Sequence, residues 1–497
     1  DLLGRRQHIL QRAYDNLPPA AQITLGRLAA FRAAVPWDTI AAVFGDNRHT
    51  RANLHLLEQR GLLQRSIPPA PLLPSSSAPP PTFDLHPIAR RYAYKRLADR
   101  AAVHGRLIIY FEAVPQPPKV TSLADLAPAI ELYHHLTRAE RYDEAFDLFY
   151  NRINKATYYQ LGAYQKTIEL LRALFPDGED KPPRLSKESA QGWTLNSLAN
   201  SYGMAGQPGA AVPVFQQAVD MAEKLGDKQN TAISLGNLAN GQTEIGALAA
   251  AADNLRRSIA LCQKIEDRFW EAVGHAEYGR LLIYCNDWAK SAAELDAALE
   301  LFEADEAVQY QGNVWAYRAL SALLQGDGVV AQHAAQEALH LADETARTHY
   351  PYERDYVQAH WLLGWAALVA GNHLESQTRL DEALRRCRAI NLVELEPATL
   401  LAQARLARAV KRNAISFNYA QQAVTIAQRA GHVLDLADCH NHLALLALDA
   451  GDTAAARSEA LAHAQTARDY AFCDGPPYAY QSALDEAERI LNNLSQT

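Results

Sequence analysis

An all-helical solenoid preceded by a small head domain is the fold class that the sequence predicts. A helix–turn–helix pattern returns at an almost constant step through the later part of the chain, from about residue 190. The first 113 residues lack that pattern and carry basic and Pro/Ser-rich segments instead. Hydrophobic residues make up 48% of the 497 and charged residues 21%, an ordinary balance for a chain that buries a core. The most apolar runs, such as 361–370, fall well short of the roughly 18 residues needed to cross a bilayer.

The step is read from the small residue that enters the second helix of each pair. It falls at Ala211, Ala251, Ser291, Ala331, Ser376, Ser416 and Ala456, with spacings of 40, 40, 40, 45, 40 and 40. Five residues before each stands Gly206, Gly246, Asn286, Gly326, Gly371, Lys411 or Gly451. Gly and Asn there suit the positive φ that ends a helix and turns the chain. Four residues after the small position comes Phe215, Leu255, Leu295, Ala335, Leu380, Ala420 or Ala460, and three further on Ala218, Ser258, Ala298, Ala338, Ala383 or Ala423. Small residues at i and i+7 around an apolar one make a smooth stripe on which the next helix packs closely.

This pattern resembles the tetratricopeptide repeat, lengthened to 40 residues as in kinesin light chains and bacterial signalling ATPases. Seven such repeats are expected over 190–475. Irregular first repeats are expected over 120–189, around Ala145, Phe149, Gly162 and Leu171, and end in the polar loop 177–189. A terminal helix over 476–497 would cap the array, because the last repeat has no neighbour to cover it.

The head, 1–113, is basic: 15 Lys and Arg against 8 Asp and Glu give +7, leaving −15 on the rest of a chain whose net charge is −8. Such asymmetry fits either a nucleic-acid surface or docking on an acidic neighbour. Apolar-periodic helices are followed by short strand-like runs at 62–66 and 82–87. Between them lies a Pro/Ser segment, 67–81, of a composition that cannot bury a core. One long basic helix is expected from Pro87 to Phe111. The stretches NLPPAAQITLGRLAAF, LEQRGLLQR and FDLHPIARRYAYKRL resemble the winged-helix domain that follows the nucleotide-binding domain in STAND ATPases of the NB-ARC type. In that family a Met-His-Asp motif stands where Leu85-His86-Pro87 stands here. The resemblance makes His86 the candidate sensor of nucleotide phosphates in the intact protein. The plainer reading is a polar residue starting a helix just before Pro87.

No GxxxxGK[ST] motif and no GxGxxG after a strand is present, so no hydrolysis is assigned to this polypeptide. ADP or ATP is expected only in the intact protein, and no cofactor or metal in this chain. Asp1 in place of Met, with no leader after it, suggests a piece of a longer polypeptide. The five cysteines, at wide irregular spacing, suit reduced thiols in a cytoplasmic protein.

Other candidates weigh less. Arg48, His49, Arg51 and Arg60 could line a recognition helix, but they form no single stripe, and a packing role is preferred over nucleic-acid contact. Cys439-His440-x-His442 and the adjacent His134-His135 hold metal-favouring types whose spacing points them apart, with no further partner evident.

The remaining surface is the inner wall, which the resemblance places on the first helix of each repeat. Its ladder reads Asn200, Asn240, Arg280, Leu320, Trp365, Arg405 and Leu445, with Asn196 and Trp361 one turn earlier. Asn can grip a peptide backbone, Arg can take a carboxylate, and Trp361 and Trp365 share a face as an apolar anchor. The alternative is that the Trp pair is core and the Asn residues cap helices. A protein or peptide trigger in this groove, acting on an upstream nucleotide-binding domain with oligomerisation on activation, is the expected function. A DNA-binding transcription regulator that senses a small molecule is the competing one.

Overall fold

The computed structural model describes residues 10–45, 48–66, 81–451 and 453–495. Except for Pro81, the segment 67–81 lies outside these residues. The chain divides into two compact units, Asp1–Ala156 and Thr157–Thr497.

In the first unit, residues 10–15 are helical and lead to α1 (Pro19–Leu28), which opens with Pro at its first turn. Then follow β1 (Val35–Pro36), α2 (Trp37–Phe44), α3 (Arg48–Gln59), β2 (Gln64–Ser66) and β3 (Thr82–Asp84). The strands form an antiparallel sheet of order β1-β3-β2, with Phe83 facing Val35 on one side and Arg65 on the other. Leu25, Ile40, Leu54, Leu57, Phe83, Ala93 and Leu107 share its core. The long basic helix expected over 87–111 is instead two, α4 (Pro87–Arg96) and α5 (Arg100–Glu112). At Leu97 the backbone is extended (φ −67°, ψ 113°), which buries its side chain against Gly26; that burial outweighs continuing the helix. α6 (Ala127–Arg138) and α7 (Tyr142–Leu148) belong to this unit, and π-helical turns follow at Phe149–Ile153 and Lys155–Gln160.

The second unit begins with α8 (Tyr164–Arg172) and continues as seven helix pairs. These are α9 (Glu188–Met204) with α10 (Pro208–Leu225), α11 (Lys228–Glu244) with α12 (Leu248–Ile265), and α13 (Arg268–Tyr284) with α14 (Trp288–Ala304). α15 (Val308–Leu324) pairs with α16 (Gly328–Thr348), α17 (Glu353–Val369) with α18 (His373–Ala389), α19 (Glu396–Ala409) with α20 (Asn413–Ala430), and α21 (Val433–Asp449) with α22 (Ala454–Phe472). α23 (Gln481–Ser495) closes the array. The single spacing of 45 is absorbed by α16, which at 21 residues exceeds the other second helices.

The seven turn residues from Gly206 to Gly451 all have positive φ, Asn286 and Lys411 included. Asp227, Asp267, Asp287, Asp327 and Asn372 then cap the next helices by accepting from the backbone N–H three residues on. Within each pair a small residue of the first helix meets the small residue of the second. Ala199, Ala239, Gly279, Ala319, Gly364, Ala404 and Ala444 are all buried opposite the series from Ala211 to Ala456. The backbones come so close that the Ser291 and Ser416 hydroxyls donate to the carbonyls of Gly279 and Ala404, both at 2.8 Å. A Cβ at Gly279 would lie 2.8 Å from Leu295, and one at Gly364 2.6 Å from Leu380.

The stacking also carries the array back onto itself. Val393 packs against Gly206, and Val433 and Cys473 against Gly246. The Ala249 N–H donates to Asp474 (2.8 Å), Arg256 donates to the Tyr478 hydroxyl 222 positions away (3.3 Å), and the Tyr284 and Tyr480 rings meet edge to face at 5.3 Å. The later repeats therefore cover part of the inner wall of the middle ones.

Gly364→Leu tests the close approach. Overpacking this contact should cost toward the upper end of about 1–3 kcal/mol in chemical denaturation, whereas Ala293→Leu, on an exposed face, should stay within about 0.5 kcal/mol.

Candidate ligand-binding cavity

Inside the second unit lies a cavity of about 340 Å³. Its walls carry Asn200, Asn237, Asn240 and Asn313, the rings of Trp270, Tyr310 and Tyr317, and the charged side chains of Glu244, Glu277, Arg280, Arg354 and Glu394. Glu244 also borders a recess of about 50 Å³ formed with Tyr284, Trp361, Trp365, Arg405, Asp435, Asp438 and Tyr480.

Successive first helices are tied together by side chains at equivalent heights. Arg280 donates to Glu277 (2.9 Å), Glu244 (3.2 Å) and the Asn240 carbonyl oxygen (3.4 Å), while Tyr317 donates to Glu277 (2.7 Å). Arg354 grips Glu394 with two hydrogen bonds of 2.6 and 3.0 Å, the fork geometry that favours such pairs. Arg405 pairs with Asp438 (3.3 Å), its guanidinium 4.7 Å from the centre of the Trp365 ring. Burial pushes the Glu394 carboxyl up, but Arg354 overcomes this and holds it below its usual range. Burial wins at Glu244 and Asp438, whose carboxyls are raised despite Arg280 and Arg405.

The site residues named from the sequence therefore fall into two groups. Asn200, Asn240 and Arg280 line the larger cavity, and Trp361, Trp365 and Arg405 the recess. Asn196 borders neither; its amide donates to Ser234 (2.9 Å) in the next repeat. The two Trp rings lie 6.0 Å apart. Neither arginine of the ladder is idle, since both already hold carboxylates of the chain itself. The ladder missed Glu277 and Tyr317, which line the larger cavity together with Asn237. All three sit three residues before ladder positions, and that shared offset is the signal that marks them in the sequence. It also missed His432 and Tyr480, which come from the returning end of the array and leave no signal in the repeat spacing.

In the first unit, His86 is exposed and caps α4, its Nδ1 accepting from the Ile88 N–H at 3.3 Å. Leu85 and Pro87, on either side, border a cleft of about 710 Å³ rich in arginine. On α3, Arg48, His49, Arg51 and Arg60 lie on exposed positions, and the Arg51 guanidinium stacks over Trp37 at 4.8 Å. His134-His135 does have a partner, contrary to expectation. His104 from α5 shares hydrogen bonds with His135 (3.1 Å) and the Tyr94 hydroxyl (2.8 Å). His440 instead meets His463 (3.0 Å) and His442 the Ser416 hydroxyl (2.8 Å), in different directions. Among the described residues no group of three or more His, Cys, Asp or Glu side chains is placed to hold a metal, and no helix is long and apolar enough to cross a membrane.

Residues 190–264 match the family model described as tetratricopeptide repeat. No curated protein matches the chain in sequence. Among solved structures, the Rap conjugation gene regulator of plasmid pLS20, in complex with the Phr* peptide, is 12% identical over 76% of this chain and 98% of its own, with a TM-score of 0.50. The likeness is one of fold. The STAND protein with a tetratricopeptide repeat sensor from Pyrococcus horikoshii is 14% identical over 96% of this chain, with a TM-score of 0.41. This chain spans 66% of that protein, just under two thirds.

Burial holds the imidazole of His104 down to about 4, of His134 to about 3 and of His135 to about 2. Their ordinary value is near 6.5, so the unfolded chain takes up protons first and the stability these neutral rings provide is lost as pH falls below about 6.5. The loss is up to about 1.4 kcal/mol per pH unit for each buried ring. Hydrogen exchange of α6 amides, corrected for intrinsic rates, should show weaker protection at pH 5 than at pH 7, and His104→Gln should flatten that dependence.

Proposed function

We propose that the chain is the ligand-sensing, autoinhibitory part of a cytoplasmic STAND-type signal-transduction ATPase, with a solenoid that binds a protein or peptide trigger. The observation that carries this reading is the cavity where asparagine, tyrosine, tryptophan and arginine side chains from successive repeats converge. Amides and rings spaced one per repeat suit an extended chain that makes main-chain hydrogen bonds and seats its side chains between helices. A tetratricopeptide-like fold holding a peptide, as in the Rap regulator, supports the same use.

The ATPase context is supported by the head. Its helix, strand, helix, helix, strand, strand order and its antiparallel sheet suit a winged helix, and Leu85-His86-Pro87 follows the last strand and opens α4, where the family carries its phosphate-sensing motif. In this reading His86 faces nucleotide phosphates held by an upstream domain, and the trigger releases that domain to oligomerise. A GxxxxGK[ST] motif ahead of Asp1 in the same reading frame is required; a frame without one removes the ATPase.

Binding is tested directly with pools of random pentapeptides passed over the immobilised chain. Retained peptides should bind Trp361→Ala/Arg405→Ala at least about thirtyfold more weakly, the usual penalty for losing an aromatic anchor. Circular dichroism must show the variant folded. Unchanged affinity in a folded variant would move the site off the inner wall.

A further inference from the structure

The cleft of about 710 Å³ in the first unit is lined by six cationic side chains and one carboxylate. Arg32 follows α1, Arg90, Arg91 and Lys95 stand on α4, Arg100 on α5 and Arg138 on α6, against Asp84 at the end of β3. Two of the six are already engaged with acids. Arg90 donates to Asp84 and to the Phe31 carbonyl, and Arg32 opposes the rise that burial gives the Glu131 carboxyl. Arg91, Lys95, Arg100 and Arg138 have no ion-pair partner among the described residues, and the side chains of Arg91 and Lys95 make no hydrogen bond there either. Arg100 and Arg138 share one ring instead, their guanidinium carbons 5.1 and 5.6 Å from the centre of Tyr94.

Cations gathered on a concave wall reinforce one another, because a cleft with sides of low dielectric focuses their field. His134, which borders the cleft, registers that field: burial first, then Arg138 and Arg32, hold its imidazole down to about 3. The first turn of α4 adds to it. Pro87 brings that end of a 10-residue helix to the cleft wall, and a helix carries partial positive charge at its amino terminus.

We propose that this cleft binds a compact polyanion carrying at least two phosphate groups, and that the chain binds it unaided. Each phosphate brings about −1.5 to −2 charges, so two or three of them balance the four unpaired cations. Guanidinium forks fit phosphate oxygens in pairs, and a lysine adds a point contact. An acidic peptide carries one charge per side chain, with successive residues up to about 3.3–3.6 Å apart, and so brings less charge into the same space. The volume is that of a small-molecule pocket. His86 does not line the cleft; its ring is exposed and caps α4, so the site is separate from the nucleotide contact proposed for His86.

Calorimetric titration of the intact chain with inorganic tripolyphosphate tests the proposal. Tripolyphosphate should bind at least about tenfold more tightly than citrate, whose charge sits on carboxylates. Arg91→Gln/Lys95→Gln should weaken binding at least about tenfold and leave the melting temperature in place, since neither side chain has a partner to lose. Arg138→Gln, on another helix, should weaken it several-fold. Arg12→Gln/Arg106→Gln removes the same charge from exposed positions that do not line the cleft, and should change the affinity by no more than about twofold, as should His86→Ala. Competition with ATP names the source: displacement of tripolyphosphate assigns a nucleoside polyphosphate, and no displacement assigns a ligand without the nucleoside. Absence of binding to the folded chain, equal binding of citrate, or an equal loss in the Arg12/Arg106 variant overturns the proposal. A loss in His86→Ala as large as that in Arg91→Gln/Lys95→Gln also overturns it, because the phosphates would then sit at His86. None of these outcomes bears on the cavity of the second unit.

Discussion

The second unit depends on one repeated contact, the meeting of two small side chains where the helices of a pair cross. With Ala or Gly on the first helix and Ala or Ser on the second, the backbones approach until a serine hydroxyl reaches across to a carbonyl, as at Ser291 and Ser416. A larger residue on either side would push the helices apart, and the error would recur at every repeat it affected. Because each repeat touches mainly its neighbours, the angle set inside one pair is passed along the array. The winding that brings Tyr480 back to Tyr284 is the sum of those angles.

The partly covered interior follows from that winding. An open solenoid would leave its inner wall to water, where arginine and glutamate interact weakly. Here the returning repeats cover part of the wall, and the side chains of Arg280, Glu244, Glu277 and Glu394 are left only 12% to 25% exposed and pair with charged partners of the chain. The cross-repeat pairs do this for most of them. In the recess bounded by Glu244, Asp435 and Asp438, three carboxyls face the one guanidinium of Arg405. The recess is a product of the winding: its carboxyls come from α11 and α21, which are far apart in sequence and meet only when the array has closed.

The repeats were legible in the sequence because their physics is local. A positive φ favours Gly or Asn, a tight crossing needs a small residue, and both recur at a fixed offset, so the turns at Gly206, Asn286 and Gly371 could be placed from spacing alone. Lys411 broke the composition but not the offset. The cavity was legible only in part. Asn200, Asn240, Arg280, Trp361, Trp365 and Arg405 follow from the ladder, but the carboxylates that occupy both arginines come from other offsets or from the far end of the array. In the first unit, the break at Leu97 carried no Gly or Pro to announce it, since what stops the helix is a tertiary contact with Gly26. His104 lies 31 positions from His135, too far for any local pattern to pair them.

The central claim is that the array closes on itself and so creates the binding interior. A double-mutant cycle on Tyr284→Leu and Tyr480→Leu, read by chemical denaturation, measures this most directly, because the two rings touch only in the closed array. The account predicts a coupling of about 0.5–1.5 kcal/mol, the usual worth of an edge-to-face aromatic pair. Additive effects, with coupling within about 0.3 kcal/mol of zero, would mean that the ends do not meet and that the interior is open to water.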